Sequence, residues 1–140
     1  MADMSLPRRK VLLLVDDSKT ILLMERMILG GGAYDLITAL DGEEAVEKAR
    51  AELPDLILMD VVMPRMNGFE ACRRIRSGEA TSDIPVIMVT TRGELESVEA
   101  GYESGCADYV IKPIDAQELL AKVQSCLGET IDGGSDARPS

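Results

Sequence analysis

Residues 11 to 17 read VLLLVDD, a continuous run of apolar residues that ends in two aspartates. Four more apolar runs follow it along the chain: YDLITAL (34–40), LILMD (56–60), VIMVT (86–90) and DYVIK (108–112). Most of these runs are continuous rather than alternating, which is typical of strands covered on both faces of a parallel sheet. The run at 34–40 alternates more and contains Asp35 and Thr38, so we predict that this strand lies at an edge of the sheet.

Apolar residues at helical spacing separate the strands. The sets are Ile21, Leu23, Met24, Met27 and Ile28; Ala45, Val46 and Ala49; Phe69, Cys72 and Ile75; Leu95, Val98 and Tyr102; and Leu119, Leu120, Val123 and Leu127. A capping residue three positions before a glutamate indicates a helix start at Asp41, Asn67 and Asp115. Three consecutive glycines, beginning with Gly30, indicate the end of the first helix. Alternating strands and helices predict an α/β fold, a doubly wound (βα)₅ unit with helices on both faces of a parallel sheet.

Length and charge restrict the classes of protein that the chain can represent. The 140 residues suffice for one domain with a real core, and 46% of them are apolar. A net charge of −10 argues against nucleic-acid binding and against binding to an anionic membrane surface. We place the domain at residues 9–128, between a flexible N-terminus (1–8) and a disordered tail or linker stub (129–140).

The absence of histidine excludes His-dependent nucleophile pairs and most transition-metal sites, and leaves hard cations with oxygen ligands. Three cysteines lie far apart without a C-x-x-C pair, as expected of reduced residues in a cytoplasmic protein. No apolar run approaches the length of a membrane span, so we expect no membrane insertion.

Reactive side chains stand where four of the five predicted strands end. Asp16 and Asp17 follow the first strand, Asp60 ends the third, Thr90 the fourth and Lys112 the fifth. Each of them alone is explained by a helix cap or a turn. Ligands of open parallel sheets, however, bind at the carboxyl ends of the strands, near the point where strand order reverses. An order of 2-1-3-4-5 places these four strands side by side, so we predict that order and a site at this edge.

The residue types at this edge suit phosphoryl transfer to a carboxylate. Three crowded carboxylates repel one another, and a divalent cation such as Mg²⁺ or Mn²⁺ relieves that repulsion. Lys112 supplies a positive charge and Thr90 a hydroxyl donor for the oxygens of an incoming phosphoryl group. The nucleophile that remains is Asp60, since carboxylates form acyl phosphates.

Four motifs together resemble the receiver domain of bacterial two-component response regulators, in particular the single-domain chemotaxis type. They are VDDS (15–18), MDVVMPRMNG (59–68), VTT (89–91) and GCADYVIKP (105–113). The resemblance covers roughly residues 9 to 127. It implies a flavodoxin-like sheet, a phosphoryl group taken from a sensor histidine kinase or a His-phosphotransfer domain, and a cytoplasmic signalling protein rather than a turnover enzyme.

The resemblance also implies the roles of individual residues. Asp60 is the phosphoacceptor, and Asp17, Asp60 and the backbone carbonyl of Val62 hold Mg²⁺ directly, while Asp16 acts through a water. The side chain of Val62 is apolar and cannot orient a water, and Arg92 is basic. We expect these two residues to set how long the phosphoryl group survives.

The resemblance implies that Thr90 and Lys112 contact the phosphoryl group. It also implies that signal output depends on a switch formed by Thr90 and Tyr109. The Lys112–Pro113 bond is implied to be cis. A target protein is expected at the face formed by the fourth predicted helix, the fifth strand and the last helix. Four acidic residues on that fourth helix favour a basic patch on the target: Glu94, Glu96, Glu99 and Glu103.

Two alternatives stay open. A Mg²⁺-dependent phosphohydrolase would use a similar set of residues but needs a second aspartate two positions after the nucleophile, where this chain has Val62. The chain is also compatible with an N-terminal receiver module of a larger regulator, although KPI (112–114) and the last helix fit the winged-helix transcription factors poorly.

Overall fold

The computed structural model describes residues 9–91, 103 and 105–128. The strands are β1 (Lys10–Val15), β2 (Tyr34–Ala39), β3 (Leu56–Asp60), β4 (Val86–Thr90) and β5 (Asp108–Ile111). The helices are α1 (Lys19–Leu29), α2 (Gly42–Glu52), α3 (Gly68–Ser77) and a C-terminal helix (Ala116–Leu127). The helix predicted around Leu95 and Val98 and both predicted flexible ends lie outside the described residues. None of the described helices is long and apolar enough to cross a membrane.

All pairs of neighbouring strands are parallel, in the order β2-β1-β3-β4-β5. This confirms both the predicted order and the edge position of β2. The register aligns Val15 with Met59, Asp60 with Val89, and Thr90 with Ile111. Because the strands run the same way and end nearly level, the residues at their carboxyl ends meet at one edge.

The continuous apolar runs fill two cores, one on each face of the sheet. Alternate residues of β1 and β3 point to opposite faces. Leu13 and Met59 belong to the core covered by α2 and α3. Leu12 and Leu58 belong to the core covered by α1 and the C-terminal helix. Burial of both faces therefore explains why these strands do not alternate between apolar and polar residues.

Side-chain caps begin the helices where the sequence indicates. Asp41, Asn67 and Asp115 each accept a hydrogen bond, of 2.8–2.9 Å, from the backbone N–H three residues on. Ser18, which was not predicted as a cap, does the same for α1 at 3.3 Å. The helix ends at Gly30 as predicted.

The stripe predicted on α1 is not its buried face. The helix buries Leu22, Glu25 and Leu29, while Leu23 is 58% exposed and Met27 is 75% exposed. Apolar residues surround most of this helix, so their spacing alone does not select one face. Packing against the sheet selects a face that includes a glutamate, and the methionines are left in solvent.

Candidate functional site

The carboxyl edge of the sheet brings three carboxylates together. Asp16 follows β1, Asp17 comes next, and Asp60 ends β3. One carboxylate oxygen from each lies within 4.8 Å of the other two. Asp16 and Asp60 are buried and Asp17 is exposed, so the cluster opens to solvent on one side. The structure thus groups the three aspartates that the sequence predicts to be one site.

Lys112 reaches this cluster from the neighbouring end of β5. Its Nζ lies 3.1 Å from Oδ1 of Asp60 and 3.6 Å from Oδ2 of Asp16. Its backbone N–H donates to the Thr90 carbonyl at 2.6 Å, which joins the ends of β4 and β5. The Lys112–Pro113 bond is cis, as the resemblance implied. Burial acts to lower the pKa of Lys112, but its hydrogen bond and attraction to Asp60, with Asp16, outweigh burial and raise it.

The electrostatics of the site disfavour three simultaneous negative charges. Burial first, and then the charge of Asp16, raise the pKa of Asp60 to about 6 against the opposing effect of Lys112. Burial also raises the pKa of Asp16, although the backbone N–H of Ser18 and Lys112 oppose it. A cation at this position would compensate the repulsion.

A divalent cation fits these residues. Oδ1 of Asp16 accepts the Ser18 N–H at 2.8 Å, while its buried Oδ2 has no hydrogen-bond partner among the described residues. An unsatisfied, buried carboxylate oxygen beside two further carboxylates has the donor chemistry that Mg²⁺ binds. Carboxylate oxygens of this kind also suit Mn²⁺, so the ligands themselves do not distinguish the two cations.

The loop after Asp60 is held close to the site. Gly68 donates to the Val61 carbonyl at 2.8 Å, and a Cβ at Gly68 would stand 2.3 Å from the Asp60 carbonyl oxygen. Only glycine allows that approach. Arg65 has a left-handed backbone (φ 69°) and pairs with Asp41 at 2.7 Å, which ties the loop to the start of α2. The exposed Val62 lies in this fixed loop.

Thr90 and Tyr109 lie on adjacent strands, Thr90 at the carboxyl end of β4 and Tyr109 two residues before the end of β5. Thr90 is buried at the end of β4. Tyr109 is half-buried against the core on the α2 and α3 side. Lys122 of the C-terminal helix lies 5.3 Å from the centre of the Tyr109 ring and donates to the Tyr109 carbonyl at 2.6 Å. Glu103 is exposed. The remaining predicted residues lie outside the described part of the chain: Arg92, Glu94, Glu96 and Glu99.

Glu25 was missed by the sequence reasoning. This residue of α1 is 1% exposed, and its Oε1 has no hydrogen-bond partner in the described chain. Burial raises its pKa to about 8, with a smaller contribution from the charge of Asp16 and an opposing one from Lys112. Its spacing from Leu22 and Leu29 was the available signal, but a glutamate on a helix is ordinarily placed in solvent.

Comparison with known proteins assigns the chain to one family. The response regulator receiver domain model matches residues 12–124, so the chain belongs to that family. The matched residues are accordingly a signalling domain of a two-component system and not an enzyme domain.

Curated relatives carry the same domain within longer chains. The chain is 38% identical over 119 residues to the DNA-binding dual master transcriptional regulator RpaA of Synechocystis, covering 85% of this chain and 49% of RpaA. The alkaline phosphatase synthesis regulatory protein PhoP of Bacillus subtilis is 39% identical over 118 residues, or 84% of this chain and 48% of PhoP. The chain therefore spans about half the length of the curated relatives it matches.

This chain covers almost the whole length of several similar chains of known structure. A putative response regulator from Chloroflexus aurantiacus has a TM-score of 0.83 and 35% identity, over 87% of this chain and 100% of the other. The receiver domain of sensor histidine kinase PA1611 from Pseudomonas aeruginosa has a TM-score of 0.80 and 30% identity, over 87% of this chain and 100% of the other. That structure carries a magnesium ion in its active-site cleft. The Vibrio cholerae chemotaxis protein CheY4 has a TM-score of 0.79 and 34% identity, over 85% of this chain and 99% of the other.

Proposed function

We propose that this receiver domain accepts a phosphoryl group on Asp60, with Mg²⁺ bound by the neighbouring aspartates, and signals through a protein partner. The observation that carries the proposal is the position of the Asp60 carboxylate. It lies 3.1 Å from the Lys112 ammonium and within 4.8 Å of carboxylate oxygens of Asp16 and Asp17. A nucleophile, a fixed positive charge and a set of hard ligands thus meet at one edge of the sheet.

Each residue then has a defined chemical task. An Asp60 oxygen attacks phosphorus, a P–O bond forms, and the P–N bond to the donor's histidine breaks, so that the imidazole leaves with its electron pair. Lys112 exchanges its contact with Asp60 for a phosphoryl oxygen, and the Thr90 hydroxyl donates to another. Asp17, Asp60 and the Val62 carbonyl are the proposed direct ligands of Mg²⁺, and Asp16 acts through a water. When bound, the ion would neutralise the carboxylates and the phosphoryl oxygens.

The surface of α1 favours a protein as the phosphoryl donor. This helix starts two residues after Asp17 and exposes Met24 and Met27 to solvent. Exposed flexible apolar side chains next to a reaction site are typical of a protein-binding surface. We propose that a sensor histidine kinase or a His-phosphotransfer domain docks there when it brings its phosphohistidine to Asp60.

A second candidate is that the chain is the N-terminal module of a longer regulator. It is favoured by the relatives RpaA and PhoP, which are about twice as long. The other candidate is a stand-alone regulator with a role such as chemotaxis, for which CheY4 is the similar protein. Immunoblotting of cell extracts with an antibody against this chain separates the two, since a stand-alone protein migrates near 15.2 kDa and a module in a much larger band.

Slow loss of the phosphoryl group is expected because the exposed Val62 offers no hydrogen bond to an attacking water. Val62→Asn should shorten the lifetime of the acyl phosphate several-fold, measured by the decay of label after removal of the donor. Leu53→Asn, on an exposed apolar residue far from the site, is the matched control. A wild-type half-life of a few seconds, or no effect of Val62→Asn, contradicts this assignment. The contribution proposed for Arg92 concerns a residue outside the described part of the chain.

The switch proposed for Thr90 and Tyr109 predicts a separation between phosphate uptake and its structural effect. The hydroxyl of Thr90 turns toward the phosphoryl oxygens, and Tyr109 follows into the space beside β5, which makes Tyr109 a two-state element. Tyr109→Ala should still be labelled, while the phosphorylation-dependent change in amide exchange over residues 93–125 shrinks. Tyr109→Phe keeps the ring and should retain most of the change. An undiminished change in both Tyr109→Ala and Thr90→Ala would remove these residues from the mechanism.

A further inference from the structure

A groove separates α1 from the start of α2 on the outer side of β2. Its volume is about 370 Å³. Leu22 forms part of its buried base, while Leu23 is 58% exposed and Leu40 is 39% exposed along it. Two partly exposed leucines along one concave surface form an apolar patch of the kind that binding grooves present.

The groove is basic, although the chain as a whole carries a net charge of −10. Its lining contains the cations Lys19, Arg26 and Lys48 and one carboxylate, Glu44. Lys48 already pairs with Glu44 at 3.2 Å and donates to the Thr38 carbonyl at 2.5 Å. Neither Lys19 nor Arg26 forms an ion pair within the described part of the chain. Their positive charge is therefore available at contact range, within the screening distance of about 8 Å at physiological salt.

The neighbouring edge of the sheet is poorly suited to pairing with an added strand. β2 is an edge strand, and its outward carbonyls at Tyr34 and Thr38 already accept hydrogen bonds from Arg9 and Lys48. Covering an edge with cationic side chains is a common way to prevent strand pairing. An occupant of this groove would consequently contact side chains rather than extend the sheet.

We propose that the groove between α1, β2 and α2, defined by Lys19, Leu23, Arg26 and Leu40, binds an acidic amphipathic helix of a partner protein. Leucine-type side chains of such a helix cover Leu23 and Leu40, and its flanking carboxylates meet Lys19 and Arg26. This is the helix-in-groove mode of recognition, in which apolar anchors repeat at three- and four-residue spacing. The site differs from the phosphoryl edge and from the face of α1 that carries Met24 and Met27, which lies about a third of a turn around the helix.

An anionic membrane is the competing occupant, since it also offers negative charge beside apolar chains. Lipid-binding clusters generally contain about four to eight basic residues. The groove has three, one of which is paired with Glu44, and the net charge of the chain opposes approach to such a surface. A protein helix needs only the local complementarity that the groove offers.

The test uses the whole chain, labelled with ¹⁵N, and a synthetic peptide of about 18 residues with leucines at helical spacing and glutamates on both flanks. Saturable shifts of the amide resonances of residues 19–26 and 38–48, with micromolar affinity, are the expected result. The same peptide with lysines in place of the glutamates should leave those resonances unchanged. Vesicles of phosphatidylglycerol should not sediment the protein.

Matched variants place the binding in the groove. Arg26→Glu and Leu23→Ser should each weaken peptide binding by about tenfold or more, equivalent to about 1.4 kcal/mol. Arg50→Glu and Leu53→Ser make the same changes on exposed residues of α2 and its C-cap outside the groove and should have no effect. All four variants should still be labelled at Asp60, which separates this proposal from the phosphoacceptor assignment. Absence of saturable peptide binding, equal losses in the control variants, or binding to vesicles in its place would overturn the proposal.

Discussion

Asp60→Asn is expected to abolish incorporation of phosphate from acetyl phosphate and Mg²⁺, a loss of at least several orders of magnitude relative to the wild-type chain. Asparagine keeps the shape of the side chain but has no carboxylate to attack phosphorus. Labelling followed by intact-mass spectrometry measures the result directly, since an acyl phosphate adds one phosphoryl group. Asp83→Asn, on an exposed aspartate of the turn before β4, is the matched control and should label as wild type.

The same variant should fold, and it should be more stable than wild type in the absence of metal. The pKa of Asp60 rises from 3.8 to about 6 on folding, chiefly through burial and then through Asp16. Between these values the folded chain holds more protons than the unfolded one, so stability falls as the pH rises through this window. Above it, the ionised carboxylate costs about 3 kcal/mol. A neutral asparagine removes that cost, and the thermal midpoint of the metal-free variant should rise at pH 7.

Labelling of Asp60→Asn at the wild-type level would assign the phosphate to another residue. Loss of labelling together with a lower thermal midpoint would show instead that the substitution acts through misfolding. A stable, unlabelled variant is the outcome that the phosphoacceptor assignment requires.

The parts of the fold that the sequence predicts correctly are those in which local pattern and global packing agree. A continuous apolar run such as Leu56–Asp60 is compatible with a strand buried on both faces and with little else at that length. Parallel strands then bring Asp16, Asp60 and Lys112 to one edge, whatever the details of packing. That is why the cluster of side chains at the carboxyl edge could be predicted from the positions of strand ends.

The orientation of α1 could not be predicted in the same way, because its apolar residues surround most of the helix. The face of α1 that is buried depends on the shape of the sheet and of the C-terminal helix. Neither shape can be predicted from the sequence of α1 alone. The outcome buries Glu25 near the site and exposes Leu23 and Met27. The groove beside β2 follows from the same non-local packing, so its basic lining is dispersed in sequence from Lys19 to Lys48.

Chelation of Mg²⁺ with EDTA is expected to reduce the rate of labelling by about a thousandfold. Without a cation, an incoming phosphoryl group meets the carboxylates of Asp16, Asp17 and Asp60, opposed by the single ammonium of Lys112. Two like charges about 4 Å apart repel by about 4 kcal/mol at an effective dielectric constant near 20. A barrier higher by that amount corresponds to about three powers of ten in rate.

Asp17→Ala should imitate partial chelation, because it removes the solvent-exposed carboxylate of the trio and leaves the nucleophile in place. The variant should need a higher Mg²⁺ concentration for half-maximal labelling, and excess Mg²⁺ should restore part of the rate. Asp83→Ala removes an exposed aspartate away from the site and should leave the Mg²⁺ dependence unchanged. Mg²⁺ should also raise the thermal midpoint of the wild-type chain more than that of Asp17→Ala, since a ligand that binds only the folded state stabilises it. Undiminished labelling of the wild-type chain in EDTA would show that Lys112 alone compensates the carboxylates and that the trio has no metal role.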